Sequence, residues 1–461
     1  MANTNIISKK VSVIRGGEKV AGARSANRFI EDYVLEMVIM ESVNSPAIEM
    51  HLVFNDYANI AQVLTGTELF KVELSTENSD RIYFMRGNGY ANKVRDGQGA
   101  EAYMIKCFSD EYAKNEGRSI FGHTSVLFGN TEASNIVKSI IRDKRYLNST
   151  KKVYVEESLN FHSAVIPNWR PFEVCNFLAE RSYRKNRSDA NRKIQSGFQF
   201  FENGLGYNFK TIDRLIEDVK DSKPGEATNP KTGETTIYEY VLSPANVRSD
   251  DDGNGSDYFN LHSFIVTEEN NLFRRMRNGL VTGYSIGFDP ISLDSSQVGL
   301  SKDFSEDRFK YHITDMWKDM SHLDTRLGRN PANVIDSTIK DYVDTPRRIR
   351  YNILPNRVFD TRKSVNNLNY SEISMMDTYD YVRRSSLDNI TAKCRVNGNL
   401  DLYAGKGVKI KIPSTAPIAE GRGYDNDPRY SGMYLITDVT HQISGDQMFT
   451  ILNLKRDAIP T

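Results

Sequence analysis

The chain has 461 residues, with 60 Lys and Arg against 60 Asp and Glu, so its formal net charge is zero. That balance excludes a general nucleic-acid coat, which needs a basic excess, while leaving room for local charge. The length suits roughly three domains with a sizeable core. Three well-separated cysteines (Cys107, Cys175, Cys394) read as buried, reduced thiols of a protein assembled in a reducing cytosol. The first residues lack a basic n-region followed by an apolar run, so no signal peptide is expected. No stretch approaches the roughly 20 apolar residues of a bilayer span. The 24 Tyr and 22 Phe suit strands and large interfaces.

In chain order, residues 1–25 are polar and are expected to form an arm. Strands are expected over 29–41, 48–56, 69–74, 81–84 and 102–108, with Asn44-Ser45-Pro46 as a turn. The first of these also fits a helical period, but its β-branched content and nearby hairpin partner favour a strand. Next, Thr131 is placed to cap a helix whose Ala133, Ile136, Val137, Ile140 and Ile141 share one face. A strand follows over 153–157. Pro171 then opens a second helix carrying Phe172, Cys175 and Leu178 on one side. Asn203-Gly204 between 197–202 and 206–209 signals a hairpin, and 211–219 reads as a short helix. Residues 221–236 and 250–256 are polar loops. The span 237–375 mixes strands and helices without a clean period. Within it, 279–288 reads as a glycine-rich strand bend and 334–343 as an amphipathic helix stopped by Pro346. In the final β module, 390–457, Val408, Ile410 and Ile412 alternate with lysines until Pro413.

No short tandem repeat is visible, but the pattern is compatible with a distant duplication. Residues 64–74 can be laid over 402–412 without gaps, and Tyr103, Ile105 and Phe108 then recur as Phe449, Ile451 and Leu454. This suggests two β-barrels of one type.

Signals of chemistry are sparse. There is no phosphate loop of the Gly-x-x-x-x-Gly-Lys-Ser/Thr kind and no Gly-x-Ser-x-Gly elbow. The seven histidines (51, 123, 162, 262, 312, 322, 441) are scattered, and no Cys-x-x-Cys occurs. Asp250-Ser-Asp252-Asp-Asn254-Gly255 matches the opening of a calcium loop, but Leu261 stands where the bidentate carboxylate is needed, so a polar loop is the better reading. Trp169 between Pro167 and Pro171 reads as a packing anchor rather than a sugar platform. Arg274-Arg-Met-Arg277 and Arg347-Arg-Ile-Arg350 read as solvated basic faces. No catalytic, cofactor-binding or metal-binding residue is assigned, and no cofactor is expected.

The chain resembles the baseplate central hub proteins of contractile-tailed, T-even-like bacteriophages. The resemblance is carried by Asn27-Arg-Phe-Ile30, Val53-Phe-Asn-Asp56, Ile166-Pro-Asn-Trp-Arg-Pro-Phe172 and Gly197-Phe-Gln-Phe-Phe-Glu-Asn203. It continues in Gly398-Asn-Leu-Asp-Leu402, Gly407-Val-Lys-Ile410 and Tyr434-Leu-Ile-Thr-Asp-Val-Thr-His441. It is best over 153–215 and 395–457 and poorest over about 290–390. It implies a mainly β fold with α+β parts: two tail-tube-like antiparallel β-barrels per chain plus smaller peripheral α/β domains.

The expected layout is an arm (1–25), a first barrel (26–118), helical and β segments of the second barrel (119–221) and strands packing on the first barrel (222–290). A peripheral α/β insertion (291–389) and a module completing the second barrel (390–461) follow. The resemblance further implies a non-enzymatic homotrimer in the virion tail baseplate, forming a pseudo-sixfold ring around a channel for genome ejection. Its implied partners are the spike trimer, the tail-tube ring, wedge or inner baseplate proteins, the tape-measure protein and DNA in transit, with no membrane insertion. The hub of a related injection machine, or a tail-associated peptidoglycan hydrolase, are the alternatives.

Overall fold

The computed structural model describes residues 6, 8–19, 30–56, 62, 64–76, 79–95, 101–129, 132–185, 195–221, 223–224, 236–242, 259–269, 271–289, 294–295, 310–323, 330–346, 348–353, 371–414 and 426–457. The 250–255 loop, Thr131 and Arg347 lie outside them.

The chain opens with β1 (Ser8–Arg15) and the two-residue β2 (Glu18–Lys19), joined by Gly16-Gly17 at φ 60° and 89°, as a two-residue hairpin loop requires. The segment expected as a polar arm thus contains a strand, with Val11 and Val13 in the core. A 3-10 turn leads into β3 (Val34–Ser42), followed by β4 (Glu49–Asp56), β5 (Leu69–Ser75), β6 (Asp80–Arg95) and β7 (Glu101–Ser109). Alternation sets the faces: Met37, Ile39, Met50, Leu52, Phe54, Phe70, Val72, Tyr103 and Ile105 are buried in one shared core. The strand expected at 81–84 is instead sixteen residues long and passes two bulges, between Gly87 and Tyr90 and between Ala91 and Val94.

Next come α1 (Asp110–Glu116), β8 (Ile120–His123), α2 (Thr124–Phe128), α3 (Ala133–Arg142), β9 (Lys152–Val155), β10 (Val165–Trp169), α4 (Pro171–Glu180), β11 (Phe198–Asn203), β12 (Gly206–Thr211) and α5 (Ile212–Asp221). The expected helix faces are buried here, together with Phe172, Cys175 and Leu178. Asn203 ends β11 opposite Gly206, so the hairpin loop is Gly204-Leu205. This region was expected to contribute to the second barrel. Instead β8 pairs β10, and β11, β12 and β9 form a separate three-stranded sheet. The helices cover that sheet's apolar face, which closes a core of its own.

The rest comprises β13 (Lys223–Pro224), β14 (Thr236–Val241), β15 (Ser263–Glu269), α6 (Leu272–Asn278), β16 (Thr282–Asp289), β17 (Asp294–Ser295), β18 (Lys310–His312), α7 (Ile313–Trp317), α8 (Lys340–Asp344), β19 (Ile349–Ile353), α9 (Ser371–Leu387), β20 (Ile390–Asn397), β21 (Gly407–Lys411), β22 (Gly432–Ser444) and β23 (Gln447–Arg456). The helix expected over 334–343 is confined to α8. The Asp336 carboxylate accepts from both the amide and the hydroxyl of Thr338, closing a side-chain turn that competes with helix. The strands of 236–269, expected to pack on the first unit, pair within the second: Tyr238 lies opposite Val408 and Phe264 opposite Cys394. There they cover edges of β21 and β20 that would otherwise stand open.

Two six-stranded units emerge, with spatial orders β1-β5-β6-β7-β4-β3 and β14-β21-β22-β23-β20-β15. In each, the first strand in sequence pairs the fourth, the second the third, the third the sixth, and the fifth lies between the fourth and sixth. The expected overlay of 64–74 on 402–412 fits the ladders. Leu69 faces Arg86 as Gly407 faces Leu435, and Gly87 N–H donates to Glu68 O at 2.9 Å as Ile436 N–H does to Lys406 O at 2.9 Å. The expected match of β7 to β23 is one residue out. Inward-facing Tyr103, Ile105 and Cys107 correspond to Thr450, Leu452 and Leu454, because a one-residue slip exchanges the two faces of a strand. The units differ in their first strand: β1 runs antiparallel to β5, whereas β14 runs parallel to β21.

Candidate functional site

The feature that joins the two units is the edge of β22. Residues 432–435 lie opposite β21, and beyond a bulge residues 438–444 lie opposite 36–42 of β3. One strand thus serves both units, and a continuous fourteen-stranded sheet results among the described residues. The β22–β23 hairpin carries Ile443 and Met448 into the first unit's core. On the other face Gln442 Nε2 donates to Glu36 Oε1 at 2.8 Å. At the hairpin tip, Ile6 N–H donates to Asp446 O at 3.0 Å.

Behind the seam lies a buried polar knot. Arg81 of β6 donates to Leu400 O at 3.1 Å and to Gly204 O at 3.4 Å, and stands 3.6 Å from Asp401. The Ala404 amide donates to Glu41 Oε2 of β3 at 3.3 Å, and Asn203 Nδ2 donates to Ala404 O at 2.8 Å. Lys406 Nζ and the Tyr238 hydroxyl donate to Asp401 Oδ2 at 2.6 and 3.0 Å. Both units and the β11–β12 hairpin meet here. Burial pushes the Glu41 carboxyl up to about 7, against the pull of Arg81 and of the Gly204 and Ala404 backbone. Burial also pulls His441 down to about 3, so it stays neutral.

A second knot ties the insertion to the second unit. Arg383 of α9, fully buried, lies 3.3 Å from Asp213 of α5 and 3.1 Å from Asp457. Asp457 also contacts His322 at 2.9 Å, and the Tyr379 hydroxyl donates to Asp213 at 2.6 Å. Burial alone would raise the Asp457 carboxyl, but Arg383 and His322 overcome it and hold it at about 2. Lys151 bridges Glu111 at 2.6 Å and Glu202 at 2.5 Å. These buried carboxylates are each engaged by a cation or a hydrogen-bond donor, an arrangement that fixes elements rather than presenting an acid and a base to a substrate.

The side chains weighed for chemistry do not converge. His51 contacts Glu49, His123 caps α2, His162 is buried beside Asn160 and Ser182, and His312 caps α7. Among the described residues, no group of three or more His, Cys, Asp or Glu gathers where it could hold a metal ion. Trp169 tilts against Phe177 with ring centres 4.9 Å apart. Arg274 pairs with Glu268, and Arg350 stacks on the Tyr381 ring. The three cysteines are buried, and burial pushes their thiols up. Among the described residues no helix is long and apolar enough to cross a membrane. Sequence reasoning missed Glu41, Arg81, Asp213, Arg383 and Asp457. Scattered charges in apolar or mixed surroundings were their only signal.

No protein-family model matches the chain, and no curated protein matches it. Among solved structures it is similar to a tail protein from Neisseria meningitidis MC58, with 10% identity, TM-score 0.49 and 98% of each chain covered. It is similar to the 43 kDa tail protein of prophage MuSo2 from Shewanella oneidensis, with 13% identity, TM-score 0.49 and 98% and 99% covered. A third is the E. coli c3393 protein, a component of the type VI secretion system described as similar to the T4 bacteriophage tail proteins gp27 and gp5. There the identity is 11%, the TM-score 0.42, and 98% of this chain and 77% of that one are covered.

Proposed function

We propose that this chain is the central hub of a phage tail baseplate, a structural protein without catalytic turnover. The observation that carries this reading is the duplication: two β units of identical strand order in one chain, already joined edge to edge through β22 and β3. A threefold assembly offers six like docking edges only if each chain holds two like units. In this reading three copies form a pseudo-sixfold ring that adapts the sixfold tail tube to the threefold spike, and inner baseplate or wedge proteins bind its periphery. The tape-measure protein and the genome pass through its channel. Zero net charge suits a conduit that must release DNA, since backbone affinity grows with the number of phosphates neutralised.

Mass photometry of the full chain, alone and with the spike trimer, tests the reading. The expected species is three times the 52.5 kDa chain, and a monomer under both conditions overturns it. A cell-wall zymogram is expected to show no clearing. Clearing by the purified chain would instead make it a tail-associated peptidoglycan hydrolase.

A further inference from the structure

The seam inside the chain is a template for a second seam between chains. By the matched ladders, β6 is the counterpart of β22 and β15 the counterpart of β3. The long strand β22 uses one edge twice, for β21 and then for β3. β6 has the same build. Residues 80–86 pair with β5, and Gly87 and Gly89 donate to the carbonyls of Glu68 and Gly66. Beyond them the same edge, over 90–95, has no strand partner among the described residues. β15, for its part, pairs only with β20 among the described residues. The chain therefore carries one filled joint and the two separated halves of another.

Carrying the filled joint across gives the register. Gln442 faces Phe449 as Val94 faces Ala102, and Val38 faces His51 as Ile265 faces Lys393. Gln442 and Val38 are partners in the filled joint, so Val94 and Ile265 become partners in the open one. These two are among the exposed large apolar residues of the molecule, at 63% and 56%, whereas Gln442 and Val38 are half-buried. By the same rule Ala91 falls opposite Glu268. Exposed sheet edges with apolar side chains are ready templates for pairing, and opposed apolar and opposite-charge pairs stabilise it.

We propose that β6 of one copy (residues 90–95) pairs antiparallel with β15 of a second copy, with Val94 opposite Ile265. The joint rests on the hub reading and specifies its subunit contact. It is heterologous, head to tail, the kind of contact that builds a ring where the rotation closes after three copies, as the hub reading requires. It is also more polar than its template: Ile443 and Met448 at the tip of the filled joint are replaced by the ion-paired Arg95 and Glu101. That substitution lets the free chain expose this edge to water before assembly.

The test is a disulfide. In the double variant Val94→Cys with Ile265→Cys of the full chain, mild oxidation is expected to give covalent dimers and trimers on a denaturing gel. The native cysteines are all buried and contribute little background, and opposed strand residues lie within disulfide reach. A mixture of the two single variants is expected to give dimers only, and each alone none. Val38→Cys with Gln442→Cys, the template pair, is expected to cross-link within one chain. Separately, Val94→Glu is expected to leave the melting temperature unchanged while weakening assembly at least tenfold by mass photometry. A trimer of the double variant whose two introduced thiols remain reduced, or a trimer that Val94→Glu leaves intact, overturns the joint and leaves the hub reading standing. A chain that stays monomeric overturns both.

Discussion

The first β unit is nearly contiguous, spanning 8–109, whereas the second extends from 236 to 456 and holds the α/β insertion between its second and third strands. Their strand order is nonetheless the same. Loop-closure entropy grows slowly with length, and β20 is held by ladders on both sides, to β15 and to β23. The cores differ more. The first relies on Met37, Phe54 and Phe70, and the second on Tyr238, Tyr240 and Tyr434. Those tyrosines need polar partners when buried, and the second unit supplies them: Asp401 for Tyr238, Asn399 for Tyr240 and the Tyr430 carbonyl for Tyr434. Strand order is thus set by which ladder edges must be filled, and core composition by what lies alongside.

The largest expected effect falls where the second unit is tied to its insertion. Asp457→Ala leaves Arg383 buried beside Asp213 alone, and breaking a buried pair in this way costs about 3–5 kcal/mol. Hydrogen exchange should rise in β20 and β23 far more than in β4 and β7. Equal loss in both units would mean that they unfold as one and that the comparison has no energetic content.

Next in size is a pH effect at the seam. Glu41 is protonated in the fold up to about pH 7 but only up to its ordinary 4.5 when unfolded. Between those values the folded chain binds the extra proton, so this group's contribution to stability falls as pH rises. The shift corresponds to roughly 3 kcal/mol. His441 has the opposite slope: folded it protonates only near 3, unfolded near 6.5. Glu41→Gln separates the two. Relative to it, the parent chain should lose about 3 kcal/mol between pH 4.5 and pH 7 in urea titrations, and a constant difference would show that Glu41 is ionised throughout.

A smaller effect distinguishes equivalent backbone positions. A Cβ on Gly87 would stand 2.6 Å from Gly66 O, so Gly87→Ala should cost about 1–3 kcal/mol by overpacking. Its counterpart Ile436 fills the core. Unfolding midpoints should show the first unit losing stability when volume is added there, and the second losing it when Ile436 is shortened.

Much of this fold was legible in period-two alternation. β4, β5, β7 and β21 lie where their buried residues said they would, and Pro171 opens its helix. The illegible parts share a cause. β1 was hidden by Lys9 and Lys10 flanking only two buried valines. In β6 only 81–84 alternates clearly, because Arg86-Gly-Asn-Gly-Tyr90 has the composition of a turn, whereas it forms part of a bulged strand. α9 shows no apolar stripe because it buries polar faces too: Thr378, Arg383 and Ser386 are all inaccessible. The seam was invisible for a further reason. Residues 36–42 and 438–444 are some 400 positions apart, and nothing in either strand names the other.

The smallest effect bears most directly on whether the two joints are alike. Gln442 is the counterpart of Val94, and its side chain bonds Glu36 while its backbone neighbour across the ladder is Val38. Gln442→Val removes one partly exposed hydrogen bond, worth about 1 kcal/mol. It adds a β-branched cross-strand pair with Val38, worth about 0.2–1 kcal/mol. The two nearly cancel, so the unfolding midpoint should move by less than the equivalent of about 1 kcal/mol, and exchange at 438–444 should stay slow. A large loss would mean that the filled joint depends on its polar bond. An apolar Val94·Ile265 pair could not then reproduce it, and the equivalence of the two edges would fail at the level of side chains.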